Sequence, residues 1–182
     1  NPDLKWEVKH TFNTGIDVAL FGNRLLLSAN YYNSRTTDML YLYNVSVPPF
    51  TYNTLLANIG SMRNWGTEIA IGITPLKTKD MELNINANIT FQRNKLLSLS
   101  GMYNGEMLSA PEYKSLSGLD GAGFHGGYNH IVYQMVGQPL GVFYLPHSTG
   151  LESDGNGGYT YGIADLNGGG VSLEDGEDRY VA

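Results

Sequence analysis

Few residues of this 182-residue chain are spaced for chemistry, and the clearest group lies near its end. Asp165-Leu166-Asn167-Gly168-Gly169-Gly170 puts oxygen-bearing side chains at alternate positions ahead of a glycine turn, the way a loop can wrap calcium. With Glu174 and Asp178 further on, Asp165 and Asn167 complete a candidate calcium set. The fifth position is Gly169 and the twelfth is Gly176, where acidic ligands are usual, so a plain glycine-rich turn is the competing reading. His125 and His130 flank Gly126-Gly127-Tyr128-Asn129, but no third ligand stands at a metal-binding spacing. A pair facing solvent or a partner fits them better. His10 and His147 are isolated, and no cofactor other than calcium is indicated.

Catalysis has little to work with. The chain has no GxSxG, no HExxH and no phosphate-binding loop. It has no cysteine, which removes disulfides, thiolate metal sites and thiol nucleophiles. A net charge of −6 without a run of Lys and Arg argues against nucleic acid. What the second half offers is flat aromatic surface: Tyr103, Tyr113, Phe124, Tyr128, Tyr133, Phe143 and Tyr144. Such rings stack on sugars or anchor protein partners. The alternative is that they pack the segment's own small core, since a long ordered loop must be held by something.

The elements that would carry these residues are strands. Phe12, Thr14, Ile16, Val18 and Leu20 alternate with Asn13, Gly15, Asp17 and Ala19. Leu25, Leu27, Ala29 and Tyr31 alternate with polar neighbours, broken by Leu26. Trp65, Thr67, Ile69, Ile71 and Ile73 alternate with Gly66, Glu68, Ala70 and Gly72. Leu83, Ile85, Ala87, Ile89 and Phe91 alternate with Asn84, Asn86, Asn88 and Thr90. A period of two makes a strand with two unlike faces. Three of the four apolar sets span about nine residues, close to the ~9–11 of a tilted strand crossing a bilayer. The opposite face is Asn, Gly, Ala, Ser and Thr with few charges, like a crowded barrel lumen.

Composition and connections agree. Only 15% of residues are charged, against ~25% in soluble domains. Gly22-Asn23 predicts a two-residue hairpin turn, Tyr43–Asn58 with Pro48-Pro49 a long link, Pro75–Met81 a short one, and Leu97 onward a very long one. Short periplasmic turns alternating with long outer loops is the rule of outer-membrane barrels. Trp6, Tyr31, Trp65 and Phe91 fall near the outer strand ends and Phe21 at an inner end, where aromatic girdles sit. The expected class is all-β, antiparallel strands of a transmembrane outer-membrane β-barrel. Residues 1–97 would give four membrane strands with short periplasmic turns and one long outer loop, and 98–182 a long extracellular, Gly- and aromatic-rich region. Four strands cannot close a barrel, so neighbouring strands must complete it. A chain that opens Asn1-Pro2-Asp3 and closes Arg179-Tyr180-Val181-Ala182 reads as a fragment of something longer.

Several short motifs resemble the SusC/RagA group of TonB-dependent outer-membrane transporters of Bacteroidetes. Asn1-Pro2-Asp3-Leu4-Lys5-Trp6-Glu7 is similar to the group's strand opening. Gly15, Asp17, Arg24, Tyr32, Thr37, Asp38 and Leu40 match its first hairpin, and Asn58, Gly60, Asn64, Gly66 and Glu68 its next strand. Asn94-Lys95 with Leu99, then Gly137–Tyr144, then Asp165-Leu166-Asn167-Gly168 with Asp178-Arg179 follow in the group's order. Gly169 departs from it, where an acidic residue is usual. The resemblance implies a parent barrel of about 22 strands with an internal plug. It would be energised by TonB through a part not present here. A SusD-like surface lipoprotein would cover it as a lid, and it would import oligosaccharides or peptides across the lipid bilayer. It implies no enzyme. A secreted β-sandwich module that binds carbohydrate is the alternative; a passive porin or adhesin barrel fits the order of motifs less well.

Overall fold

The computed structural model of the chain describes residues 4–110, 113–117, 131–172 and 178–181. Every regular element among them is a strand, and no helix is long and apolar enough to cross a membrane. Four long strands carry the first part: β1 (Val8–Leu20), β2 (Leu25–Asn44), β3 (Thr54–Lys77) and β4 (Glu82–Ser98). They form one antiparallel sheet in sequence order. β-branched and aromatic residues at alternate positions favour this pleated form, and a single register keeps each face uniform.

One connection follows the sequence reading and one differs from it. The first is a tight turn over Phe21–Arg24 with Gly22 and Asn23 at its centre, the Arg24 amide donating to the Phe21 carbonyl at 3.4 Å. Leu20 pairs with Leu25, so residues 21–24 make the reversal, with positive φ at Phe21, Gly22 and Asn23 in succession. Glycine and asparagine take that region readily, while Phe21 is held there at a cost. The link after β2 is shorter than expected, because β2 runs to Asn44 and β3 resumes at Thr54. At 20 and 24 residues these two strands far exceed the ~9–11 that cross a bilayer. Their ends away from the 21–24 turn stay ordered because they have something to pack on. Tyr43 and Ala57 are buried against Leu108, with Tyr41, Leu55, Ile59 and Tyr103 around them. Leu108 arrives on a small hairpin, β5 (Ser100–Tyr103) with β6 (Glu106–Ser109).

The chain divides into two compact units. One is Asn1–Pro111 with Val136–Pro139; the other is Glu112–Met135 with Leu140–Ala182. The second holds a sheet of β7 (Tyr113–Ser117), β8 (Val132–Met135), β9 (Val142–Pro146) and β12 (Arg179–Val181), in the order β12-β9-β8-β7. It also holds the hairpin of β10 (Ser148–Ser153) and β11 (Tyr159–Ile163). Its small core is Tyr133, Val142 and Tyr144.

Candidate membrane-facing surface and outer contacts

Directly opposed residues share a face, so the register can be read as rows across the sheet. One face carries Leu20–Leu25–Ile73–Ile85, then Val18–Leu27–Ile71–Ala87, then Ile16–Ala29–Ile69–Ile89. Thr14–Tyr31–Thr67–Phe91 and Phe12–Asn33–Trp65–Arg93 follow. The expected set of Ile16, Val18, Ile69, Ile71, Ile85 and Ile89 therefore lies on one side; its five isoleucines are exposed, Ile16 to 62%, and Val18 is half-buried. From Phe12 to Leu20 the strand advances ~27 Å, or ~20 Å in height once tilted, close to the ~25 Å apolar band of a membrane barrel.

The other face carries Asp17–Ser28–Ala70–Asn88 and Gly15–Asn30–Glu68–Thr90. Here a cavity of about 480 Å³ is lined by Asp17, Ala19, Leu26, Ser28, Gly72 and Asn86 among others. Leu26, the break in the alternation, is thus an apolar side chain among small ones on the polar face. One row further along, Tyr32 lies opposite Gly66, and a Cβ on Gly66 would sit 2.5 Å from the Phe91 carbonyl oxygen and 2.8 Å from the Tyr32 hydroxyl. The glycine is what lets the ring lie against the backbone.

The motif residues gather in three places. At the end of the sheet away from the 21–24 turn, Lys5 Nζ pairs with Asp38 at 2.8 Å. Asn58 Nδ2 donates to the Lys5 carbonyl at 2.7 Å and the Asp38 carbonyl at 2.9 Å, and its Oδ1 accepts from the Lys5 amide at 3.0 Å. The Leu40 amide donates to Glu7 at 2.9 Å. Asp38 has φ +56° and lies in a bulge between Thr36 and Leu40. Gly60 sits opposite Met39, where a Cβ would come within 3.0 Å of the Met39 Cβ. Near the end of β4, the buried Leu96 exchanges backbone bonds with Gly137 and Gln138 at 2.8 and 2.9 Å. In the second unit, Asp178 is fully buried. Its Oδ1 accepts from Leu166 at 2.6 Å and Asn167 at 3.4 Å, and its Oδ2 from Ser172 at 2.8 Å. Those amide donors, Ser172 first and then Leu166, hold its carboxyl below the usual carboxylate range against the opposing pull of burial.

Of the candidate calcium ligands, Asp165 accepts from Gly168 and Gly170, and Asn167 Oδ1 from Gly169. Asp165, Asn167 and Asp178 thus belong to one loop, shaped by backbone donors, while Glu174 lies outside the described residues. No group of three or more His, Cys, Asp or Glu that could hold a metal stands among the described residues. The aromatics divide. Tyr103 packs on the hairpin core. Tyr133 and Tyr144 are buried against each other, ring centres 5.3 Å apart. Phe143, between two buried neighbours on β9, is 50% exposed. Tyr113 begins β7. Phe124, Tyr128, His125 and His130 lie outside the described residues.

Residues 1–174 match the family model described as TonB dependent receptor-like, beta-barrel. TonB-dependent receptor SusC of Bacteroides thetaiotaomicron is 33% identical over 101 residues, 56% of this chain and 10% of that protein. TonB-dependent receptor P3 of Formosa agariphila is 30% identical over 169 residues, 92% of this chain and 15% of its own length. A chain in the structure of the RagAB peptide transporter superposes with a TM-score of 0.60 at 26% identity, over 84% of this chain and 14% of that one. The chain thus spans only 10% to 15% of these two curated relatives.

Proposed function

Because this chain belongs to the TonB-dependent receptor family, as part of its β-barrel, we propose that it supplies four adjoining wall strands and an outer loop region of an outer-membrane nutrient importer. The observation that carries this is the two-faced sheet. Its apolar rows are exposed together, while the opposite rows hold Asp17, Ser28, Asn30, Glu68 and Asn88. A barrel wall needs that arrangement, with lipid outside and a wet lumen inside. A secreted sandwich would bury the isoleucines against a second sheet, and Ile16, Ile69, Ile71, Ile85 and Ile89 are instead exposed.

The turn at residues 21–24 and the one at 78–81 then face the periplasm, and residues 45–53 and the second unit the outside. A SusD-like lipoprotein is the lid in this reading, and oligosaccharide or peptide the cargo; the RagAB relative is described as a peptide transporter. Of the described candidate rings in the second unit, Phe143 is an exposed one offered to either. Calcium, if bound, belongs to the Asp165–Asp178 loop and serves its shape. TonB coupling resides in the parent protein. Import of this kind needs conformational work and no covalent step, which agrees with the lack of a catalytic constellation in the sequence.

The test is a full-length parent lacking residues 118–127. It should insert normally, judged by heat-modifiable migration, yet lose cargo uptake or co-purification of the lipoprotein. Unchanged uptake together with unchanged co-purification overturns the assignment of this region.

A further inference from the structure

The register also assembles a group that is scattered along the chain. One row beyond Phe12–Asn33–Trp65–Arg93, on the same face, stand His10, Arg35, Arg63 and Lys95, directly opposed across all four strands. All four are exposed, as is Arg93 in the row below. Arg63 is fixed on this face by two contacts: its guanidinium carbon lies 4.9 Å from the centre of the Trp65 ring, and its Nε donates to Asn33 Oδ1 at 2.9 Å. The rows from Val8–Thr37 down to Leu20–Leu25–Ile73–Ile85 carry no carboxylate on this side. Among the described residues the ion pairs are Lys5–Asp38 and Lys77–Glu82, which leave these cations without an acidic partner. Like charges directly opposed on a sheet repel, so the row costs stability unless an anion lies across it. That a chain of net charge −6 gathers its cations here makes the row a feature to be explained.

Its height says which anion. The row follows immediately on Phe12, Tyr31, Trp65 and Phe91, the aromatic residues at the outer edge of the apolar band. Aromatic belts sit at headgroup level. A cavity of about 810 Å³ opens here, lined by His10, Phe12, Asn33, Arg35 and Arg63 among others. Guanidinium forks match phosphate oxygens two at a time, and adjacent Arg35 and Arg63, with Lys95 beside them, can grip one phosphate from several sides.

We propose that His10, Arg35, Arg63 and Lys95, with Arg93, form a site on the outside of the wall for the phosphate groups of an anionic lipid in the outer leaflet. The lipid's acyl chains lie over the apolar rows while its headgroup is held by the cations. The proposal rests on the reading that this face meets the bilayer. The site pins the wall at a fixed depth and recruits phosphorylated lipid around the transporter.

The experiment uses the full-length parent purified in detergent and titrated with diphosphoryl lipid A, its dephosphorylated form, or inorganic phosphate, with bound lipid counted by native mass spectrometry. The triple variant Arg35→Gln, Arg63→Gln, Lys95→Gln should bind the phosphorylated lipid about 100-fold more weakly, at about 5-fold per charge. The dephosphorylated lipid should bind weakly to both proteins, and millimolar inorganic phosphate should not displace the lipid. A control that removes two cations at the other end of the strands, Arg24→Gln with Lys79→Gln, should bind as the parent does. Equal binding by the triple variant overturns the proposal, as does equal loss of the dephosphorylated lipid. Loss of a co-purifying protein with lipid binding intact assigns the row to a protein interface and likewise overturns it. Should the triple variant fail to insert, single Arg35→Gln and Arg63→Gln variants carry the same test. Ile71→Arg separates the two readings: normal insertion of that variant removes the membrane face itself, whatever the lipid titration shows.

Discussion

Replacing Asn58 by Ala tests whether the outer contacts of the sheet are held by one side chain. The amide bonds the Lys5 backbone on both its polar atoms and the Asp38 carbonyl as well. It does for residue 5 what a neighbouring strand would do. Two of these bonds are exposed, so water replaces them and each contributes about 0.5 kcal/mol. The third is partly buried and contributes about 1 kcal/mol. The sum is about 2 kcal/mol, and the Lys5–Asp38 ion pair that remains adds little, because exposed pairs contribute ~0–1 kcal/mol. The loss should appear as local opening, with the Lys5 and Leu40 amides of the full-length parent exchanging hydrogen about 30-fold faster. Exchange in the middle of β3 should not change. Asn58→Asp should do no better than Asn58→Ala, since it sets a carboxylate against two carbonyl oxygens. Exchange at both amides within about 2-fold of the parent would refute the idea that Asn58 is the clamp.

Four further outcomes are expected. Ile71→Arg in the parent should cost about 2–4 kcal/mol in urea unfolding from lipid vesicles, because its guanidinium enters hydrocarbon near the midplane. Gly66→Ala should cost about 1–3 kcal/mol in the same assay, since β4 or Tyr32 must shift to admit the methyl. Asp178 has its carboxyl pKa lowered by amide donors, so its contribution is present above the ordinary carboxylate range and fades as pH falls through the lowered value. Proteolysis of the parent near Leu166–Ser172 should accelerate at acid pH, and Asp178→Asn should be cut readily at neutral pH with little further response to acid. The 182 residues alone in aqueous buffer should aggregate, read by light scattering, because their apolar rows have no cover.

The strands were legible because parity is a local signal: each run declares its two faces without knowing its neighbours. The faces of Ile16, Asp17, Glu68 and Ile71 follow from that alone. Strand ends were not legible. Tyr43–Asn58 reads as a loop because of its prolines, yet β2 and β3 extend into it since Tyr43 and Ala57 pack on Leu108 from a distant hairpin. The turn at residues 21–24 was legible from Gly22-Asn23, but not the positive φ of Phe21, which its residue type disfavours. Motif residues such as Lys5, Asp38 and Asn58 were visible as letters, but their meeting depends on a bulge that no spacing rule announces. The basic row was invisible for a related reason. No stretch of sequence holds a cationic stripe, and His10, Arg35, Arg63 and Lys95 become one only through the register. Among the aromatics, nothing in the sequence separated the packed Tyr133 and Tyr144 from the open Phe143; burial did.

One consequence of the Glu7 contact concerns unwanted partners. β1 starts at Val8, while β2 continues to Asn44 and from Met39 outward is paired with β3 alone. Along that stretch the amides and carbonyls on the β1 side of β2 have no strand beside them among the described residues, a margin on which a foreign strand can add. Leu40 is among the first of these donors, and Glu7 occupies it with a carboxylate. An incoming strand would have to displace a charged acceptor and then seat its own backbone beside it, beyond a bulge that already bends β2 out of line. Glu7, just before β1, therefore makes this part of the sheet's margin a poorer template for another chain.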